Sequence, residues 1–149
     1  MISLDKFALV TEYAPLVSID FIVENEKGEV LLGERVNKPA LGYYFTPGGR
    51  IFKDEPIADA IKRLSAKELN YELDSDMLTF LGVYEHFYAE SYVSDAVSTH
   101  YVVLAYRVRL KKPLTLSEEE HSSYRYFERS LLLADTRVHP YVKEYFKEG

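Results

Sequence analysis

GGRIFKDEPIADAIKRLSAKELNY, residues 48–71, joins a pair of glycines to an amphipathic helix. Pro56 suits the first turn of that helix, and Asp54 or Glu55 is expected to cap it. At about 100° per residue, apolar side chains share one stripe of the helix at Ile57, Ala60, Ile61 and Leu64. This stripe predicts the face that packs against the rest of the protein.

Glu68 places a carboxylate in the middle of the same apolar stripe. Burying an unpaired carboxylate is costly, so Glu68 is expected at the edge of the core, facing a metal ion or a cation. In the alternative interpretation, the helix frays after Leu64 and Glu68 is solvated. The helical pattern alone favours neither interpretation.

Length and charge bound the possible functions. A chain of 149 residues with 47% hydrophobic content predicts a single domain over residues 1–149. Its 18 Lys and Arg residues and 24 Asp and Glu residues give a net charge of -6, which argues against nonspecific binding to nucleic acid or anionic membranes. A phosphate-bearing ligand must therefore meet locally placed cations or a metal ion.

The chain contains no cysteine, which excludes disulfides, thiolate nucleophiles and cysteine-zinc sites. It has no basic segment followed by an apolar run at its start, and no apolar stretch of about 18 residues. These features predict a cytoplasmic protein that does not bind nucleic acid or membranes.

The remaining chain mixes helical and extended patterns. Further helices are predicted at Leu4–Tyr13, Arg129–Ala134 and Val142–Phe146. Strands are predicted at Leu16–Glu24, Glu29–Arg35, Tyr43–Thr46, Leu78–Tyr88, His100–Leu110 and Tyr124–Phe127. The first two should form a hairpin, and the two long aromatic strands should pair. Because the elements interleave without strict alternation, the expected fold class is α/β of the α+β type, a mixed sheet with helices on both faces.

The opening stretch also has the spacing of a known motif. It resembles the Nudix box, GX5EX7REUXEEXGU, at Gly49, Glu55, Arg63 and Glu68. It departs from the box at Leu64, Lys67 and Asn70, where the motif has two glutamates and a glycine. The resemblance implies a Nudix-type α/β/α sandwich with a mixed β-sheet, and a metal site with fewer helix carboxylates than usual.

A narrower resemblance covers nearly the whole chain. It rests on PLVSIDFIVEN (15–25), LLGERVNKPALGYYFTPGGR (31–50), YEHFY (84–88), THYVVL (99–104) and EHSSYRYF (120–127). These segments are similar to the GDP-mannose mannosyl hydrolase family, in which water displaces GDP at the sugar C1 carbon with inversion. The resemblance implies a homodimer that hydrolyses GDP-mannose, with GDP-glucose as a further candidate substrate, using Mg²⁺ or Mn²⁺ as a substitute.

By matching position, the resemblance assigns the metal to the backbone carbonyl of Gly48 and the side chains of Glu68 and Glu120. Mg²⁺ keeps several waters in an octahedral oxygen shell, so two or three protein oxygens and a diphosphate suffice. The family has glutamine where this chain has Glu120. The extra negative charge is expected to alter metal affinity or pH dependence.

Three residues match the catalytic groups of the family. His121 corresponds to the general base, and an imidazole with an ordinary pKa of about 6.5 can accept a proton from water at neutral pH. From the residues alone, a solvated acidic loop at 118–120 is the competing interpretation. Arg35 and Arg50 correspond to arginines that stabilise charge on the leaving β-phosphate, and otherwise read as surface residues. Arg63 is expected to pair with Glu55 and support the site.

Asp20 interrupts an otherwise apolar strand, which marks it as a fourth candidate catalytic residue. The resemblance places it near the sugar, where a carboxylate can bind a hydroxyl or balance charge at C1. It also assigns substrate contacts to Phe7, at the guanine, and to Arg35, His86, Tyr88 and Tyr101. Aromatic residues on helices and strands are more often part of the core, which is the competing interpretation.

Two other functions fit the same residues. A conventional Nudix pyrophosphohydrolase would attack phosphorus and release GMP and a sugar phosphate. A noncatalytic module would bind a nucleotide sugar without metal-dependent turnover. The second alternative leaves the combination of Glu68, His121, Arg35 and Arg50 unexplained.

Overall fold

The computed structural model describes residues 2–112, 114, 116 and 121–147, and the side chains of all of these except 121–123. Its helices are α1 (Leu4–Tyr13), α2 (Ile57–Leu69), α3 (Arg129–Ala134) and α4 (Pro140–Glu144), with a 3-10 turn at Ser75–Met77. Its strands are β1 (Leu16–Glu24), β2 (Val30–Arg35), β3 (Tyr44–Phe45), β4 (Gly48–Arg50), β5 (Thr79–Tyr88), β6 (Thr99–Arg109) and β7 (His121–Phe127).

Within the described ranges the strands form one seven-stranded mixed sheet. Its main order is β3-β2-β1-β6-β5, with β4 pairing with β1 and β7 pairing with β2. Strand β1 runs parallel to β6 from the Leu16–Tyr101 pair to the Glu24–Arg109 pair. The long strands β5 and β6 are antiparallel neighbours, as the sequence predicts. The mixed sheet predicted from the sequence is therefore confirmed.

Helices cover both faces of this sheet, and β1 contributes to both layers. Successive side chains of a strand point to opposite faces. Ile19 and Phe21 accordingly pack in the hydrophobic cluster that includes α2. Ile22 packs in the second cluster, which includes residues of α3 and α4. Asp20 has the same orientation as Ile22, so its carboxylate faces the α4 layer rather than α2.

The predicted hairpin between β1 and β2 is only partly formed. The two strands pair at Glu24–Val30. The other end of β1 pairs instead with β4, from Ser18–Arg50 to Asp20–Gly48. Gly48 and Gly49 are therefore part of a short strand, β4. This arrangement brings the Nudix-like glycines directly beside Asp20.

The start of α2 also differs from the expected capping. Pro56 is the N-cap residue, and no side chain makes a capping hydrogen bond. Glu55 instead accepts a hydrogen bond from the Phe52 backbone N–H and pairs with Arg63. Ile57, the first residue of the predicted apolar stripe, is 45% exposed because it lies in the first turn of α2. The prediction of an Asp54 or Glu55 cap is wrong.

Several further boundaries are shifted, mostly by one or two residues. The last helix begins at Pro140 rather than Val142, because proline occupies its first turn and the His139 side chain accepts from the Tyr141 N–H. Strand β7 begins at His121 rather than Tyr124. Its first residues are polar, so alternation alone did not indicate them. None of the described helices is long and apolar enough to cross a membrane.

Candidate active site

Two adjoining cavities lie where β1, β4, β6 and α2 meet. The inner cavity has a volume of about 90 Å³ and is lined in part by Ser18, Asp20, Phe45, Thr46, His86 and Tyr88. The outer cleft has a volume of about 500 Å³ and is lined in part by Phe7, Gly48, Phe52, Leu64, Lys67 and Glu68. Both are lined by Arg35, Gly49, Arg50 and Tyr101, which form their shared boundary. The predicted site residues other than His121 and Glu120 therefore line one continuous region.

The buried carboxylate of Glu68 lies next to the backbone of Gly48. The residue is 4% exposed, and its Oε1 lies 3.5 Å from the Gly48 nitrogen. The Phe21 N–H donates to the Pro47 carbonyl, so the next pair along the ladder, Asp20–Gly48, is the non-hydrogen-bonded kind. The N–H and C=O of Gly48 consequently point away from β1, toward the side where Glu68 lies.

This donor set suits Mg²⁺. A carboxylate and a peptide carbonyl are the hard oxygen ligands that this ion prefers, and waters and substrate phosphates normally complete its shell. Among the described residues, no three His, Cys, Asp or Glu side chains cluster closely enough to bind a metal by themselves. Glu120, the third predicted ligand, lies outside the described residues.

Helix α2 does not fray before Glu68. It continues to Leu69 and ends at Asn70, which adopts the left-handed conformation with φ of 52°. The interpretation in which Glu68 is solvated is therefore wrong. Its burial at the cleft follows from the continuous helix that the apolar stripe predicts.

Leu64 places an apolar side chain at a position where the Nudix box has a glutamate. Its side chain is buried in the α2 cluster. A β-carbon added to Gly49 would lie 2.5 Å from Leu64 Cδ2, so the strand and helix approach as closely as glycine permits. An apolar contact thus occupies the position where the Nudix box has a glutamate.

The predicted pairing of Arg63 with Glu55 is confirmed. The Arg63 Nε and Nη2 atoms lie 2.7 and 2.9 Å from the two carboxylate oxygens of Glu55. Nη2 also donates to the Arg50 carbonyl at 2.8 Å. The fork geometry of this pair fixes the loop that carries Arg50.

Arg35 and Arg50 place two guanidinium groups at the boundary of the cavities. The Arg35 Nε donates to the Pro39 carbonyl at 3.3 Å. The Arg50 guanidinium lies 4.8 Å from the centre of the Phe7 ring, a cation–π contact. Burial lowers the pKa of Arg50, although the group stays charged at neutral pH. Phe7 is thus beside a predicted catalytic arginine rather than in the core.

Asp20 is the buried carboxylate of the inner cavity. Burial raises the pKa of Asp20 to about 6, against the opposing effects of Tyr145, Thr46 and Arg35. The Tyr145 hydroxyl donates to Asp20 Oδ2 and lies 3.4 Å from His86 Nε2. A tyrosine that follows α4 therefore joins a predicted catalytic residue of β1 and a predicted substrate-binding residue of β5.

His86 is 3% exposed and stacks on Tyr141, with ring centres 4.3 Å apart. Burial, with a smaller effect of His139, lowers the pKa of His86 to about 4. The imidazole is consequently neutral at physiological pH and can act there as a hydrogen-bonding group. Burial also raises the pKa of Tyr88, so its phenol keeps its proton.

The backbone of His121 lies beside that of Arg35, one of the residues shared by the two cavities. It is the first residue of β7, where it pairs with Arg35 of β2 after an irregularity between Gly33 and Arg35. The role of His121 as general base stays a prediction.

Comparison with known proteins decides the family. A NUDIX domain model matches residues 14–148. The chain belongs to the Nudix hydrolase family.

Individual relatives agree with this Nudix assignment. The low-salt glycan biosynthesis protein Agl8 of Haloferax volcanii is 38% identical over 141 residues, covering 95% of this chain and 86% of the relative. The MutT protein from Methanosarcina mazei Go1 has a TM-score of 0.72 at 20% identity, covering 89% of this chain and 91% of that one. The NUDIX domain of Shewanella oneidensis NrtR, complexed with ADP ribose, has a TM-score of 0.68 at 17% identity, covering 98% and 96%. The two structures establish the fold alone.

Sequence reasoning missed several residues of this Nudix site. They are Ser18, Thr46, His139, Tyr141 and Tyr145. Little in the sequence indicates that these residues belong to a site. A threonine before Pro-Gly-Gly is common in loops, and tyrosines in an apolar segment are common in hydrophobic cores. A buried tyrosine does need a partner for its hydroxyl, which could have indicated Tyr145.

The buried His86 predicts a pH-dependent stability for this Nudix protein. Its pKa falls from 6.5 to about 4 on folding, so the unfolded chain binds more protons between these values. Stability is therefore lost as pH falls through this window. Between pH 7 and pH 5, the wild type should lose about 2 kcal/mol more than a His86→Gln variant, measured by urea denaturation.

The comparison with the variant is needed because the Asp20 carboxyl changes the stability with pH in the opposite direction. Its raised pKa favours the folded state as pH falls toward 4, and His139 adds a second depressed histidine pKa. Both groups are present in the wild type and in the variant. Equal losses of stability in the two proteins would contradict the contribution assigned to His86.

Proposed function

We propose that this protein hydrolyses GDP-mannose to GDP and mannose by attack of water on the sugar C1 carbon, with inversion. GDP-glucose is a further proposed substrate. The observation that carries the proposal is the division of the site into two cavities joined at Arg35 and Arg50. The outer cleft suits a nucleoside and the boundary suits a diphosphate, and the polar and aromatic lining of the inner cavity suits the hydroxyl edge of a sugar that extends from the boundary.

The metal side of this proposal involves the outer cleft. Nudix hydrolases generally use divalent metals. Gly48 and Glu68 would hold Mg²⁺, with Mn²⁺ as a substitute, and we assign Glu120 as the third ligand. The ion would neutralise charge on the diphosphate. Lys67, which also lines the cleft, supplies a further positive charge near the same phosphates.

The chemical step needs positive charge at the boundary. When the water oxygen bonds to C1, the bond from C1 to the β-phosphate oxygen breaks and its electron pair stays on the phosphate. Arg35 and Arg50 stabilise this developing charge more strongly than the neutral bridging oxygen of the substrate. His121 accepts the proton of the water, and Asp20 balances positive charge at C1.

Two observations favour attack at carbon over attack at phosphorus. Of the box positions 64, 67 and 68, only Glu68 provides a carboxylate, whereas Leu64 is packed in the core. A separate carboxylate, Asp20, lies in the inner cavity beyond the arginines. The relatives are consistent with a nucleotide sugar, since one is named for glycan biosynthesis and another binds ADP ribose, a nucleoside diphosphate linked to a sugar.

Hydrolysis of GDP-mannose in ¹⁸O-labelled water tests the proposal. We expect unlabelled GDP and labelled mannose by mass spectrometry, and the β-anomer of mannose first by NMR, because the substrate is α-linked. Label in a phosphate group, with GMP and mannose 1-phosphate as products, would identify a conventional pyrophosphohydrolase. Binding of GDP-mannose without Mg²⁺-dependent turnover would identify a noncatalytic module.

A further inference from the structure

Thr46 has a buried hydroxyl that the fold itself does not use. The residue lies between β3 and β4 and is 4% exposed. Its Oγ1 has no hydrogen-bond partner in the part of the chain that the structure describes. Folded proteins rarely leave a buried hydroxyl unpaired, because desolvating it without a partner is unfavourable. Thr46 lines the inner cavity, so a ligand there can supply the partner.

Asp20 provides a second polar group next to Thr46. Its Oδ2 accepts the hydrogen bond of Tyr145. Its Oδ1 lies toward Gly48, 3.0 Å from the position that a β-carbon of Gly48 would occupy. Hydrogen bonding from the Thr46 hydroxyl lowers the pKa of Asp20, yet Thr46 Oγ1 makes no hydrogen bond of normal distance and angle within the described residues. The two polar groups therefore lie side by side in a poorly aligned contact, which a ligand hydroxyl between them can replace.

The rest of the lining matches the two surfaces of a pyranose ring. A sugar has hydroxyl groups at its edge and apolar C–H groups on its faces. Aromatic side chains of Phe45, His86 and Tyr88 form part of the inner cavity, and their rings contact one another edge to face. Thr46 and Asp20, together with Ser18, form a polar part.

We propose that Thr46 determines sugar specificity by binding one sugar hydroxyl together with Asp20. Thr46 donates to the hydroxyl oxygen, and the hydroxyl hydrogen is donated to Asp20 Oδ1. One hydroxyl can satisfy both groups because it is both an acceptor and a donor. This inference rests on the proposed function, since it requires the sugar to occupy the inner cavity.

The test compares Thr46→Val with the wild type on GDP-mannose and on analogues that each lack one sugar hydroxyl. Valine keeps the shape and removes the hydroxyl. We expect kcat/KM for GDP-mannose to fall by about 10-fold. On one deoxy analogue, wild type and variant should have nearly the same kcat/KM, because the contacting hydroxyl is already absent. Thr46→Ser, which keeps the hydroxyl, should remain close to wild type on GDP-mannose.

Stability separates this role from a structural one. Thr46→Val removes a hydroxyl without a partner in the described protein, so its Tm should be equal to or above that of the wild type. Thr99→Val is the matched control, because the buried Thr99 hydroxyl donates to the Glu90 carbonyl at 2.8 Å. That control should lower the Tm and leave the ratios among the analogues unchanged.

The outcomes also distinguish this inference from the proposed function. Wild-type hydrolysis of GDP-mannose with an equal effect of Thr46→Val on every analogue would overturn the role of Thr46 alone. Absence of wild-type turnover on every GDP-sugar would overturn the proposed function, and this inference with it. Loss of discrimination at one hydroxyl position would support both.

Discussion

Replacing Glu68 with glutamine should lower kcat/KM by at least about 100-fold at a fixed Mg²⁺ concentration, since even residues that only orient a metal ligand contribute 10- to 100-fold. The amide keeps the shape of the side chain, and its oxygen can still accept from the Gly48 N–H. The variant therefore removes the charge without removing this contact. The Mg²⁺ concentration for half-maximal activity should rise, so high Mg²⁺ should restore part of the rate.

Glu72→Gln is the matched control for this experiment, because Glu72 is exposed after the end of α2. It makes the same chemical change outside the cleft and should leave the Mg²⁺ dependence unaltered. Binding of Mn²⁺ alone, followed by electron paramagnetic resonance, gives a readout that does not depend on turnover. Unchanged Mn²⁺ affinity and unchanged Mg²⁺ dependence in Glu68→Gln would remove Glu68 from the metal site.

Replacing Arg35 with glutamine should lower kcat by about 10²- to 10³-fold, the usual effect of removing one group that stabilises charge in a transition state. Arg35 lines both cavities and acts electrostatically on Asp20. Its charge is needed most when the electron pair moves to the β-phosphate. KM for GDP-mannose should change much less than kcat. Steady-state kinetics at saturating Mg²⁺ would measure both quantities.

Arg35→Lys and Arg109→Gln complete this comparison. Lysine keeps the charge but not the planar fork, so its activity should lie between those of glutamine and arginine. Arg109 is exposed and is the last residue of β6, at the opposite end of the strand from Tyr101. Its replacement should therefore leave kcat unchanged. A proportional rise in KM with normal kcat in Arg35→Gln would assign Arg35 to ground-state binding instead.

The elements predicted most accurately are those specified by short-range patterns. The bounds of α1 and β1 agree with the sequence predictions, because helical spacing, alternation and Pro15 are all local signals. The phase of α2 put Glu68 in the apolar stripe, but only the continuous helix of the structure decides that its carboxylate is buried. Periodicity indicates which side chains face the interior, so it predicts the elements and their buried faces, but it did not predict that β4 pairs with the first part of β1.

The partners of buried polar groups could not be predicted in the same way. The bond between Tyr145 and Asp20 joins residues 125 positions apart. The side-by-side placement of Thr46 and Asp20 depends on how β4 replaces β2 along β1. Hydrophobic patterning carries no information on such pairings, because many arrangements bury the same apolar surface. Asp20 and Glu68 stood out as charged residues in apolar patterns, and the family resemblance gave them roles, whereas no such pattern distinguished Thr46 or Tyr145.

The contact between Leu64 and Gly49 restricts which side chains position 64 can accept. A glutamate introduced at position 64 would place its charge in a packed apolar cluster, one helical turn from the buried Glu68. Because two close carboxylates repel each other in a medium of low polarity, this single change should destabilise the protein unless neighbouring residues change with it. The reduced acidic set is thus coupled to the close packing of β4 against α2, and a glutamate at position 64 requires a compensating substitution nearby.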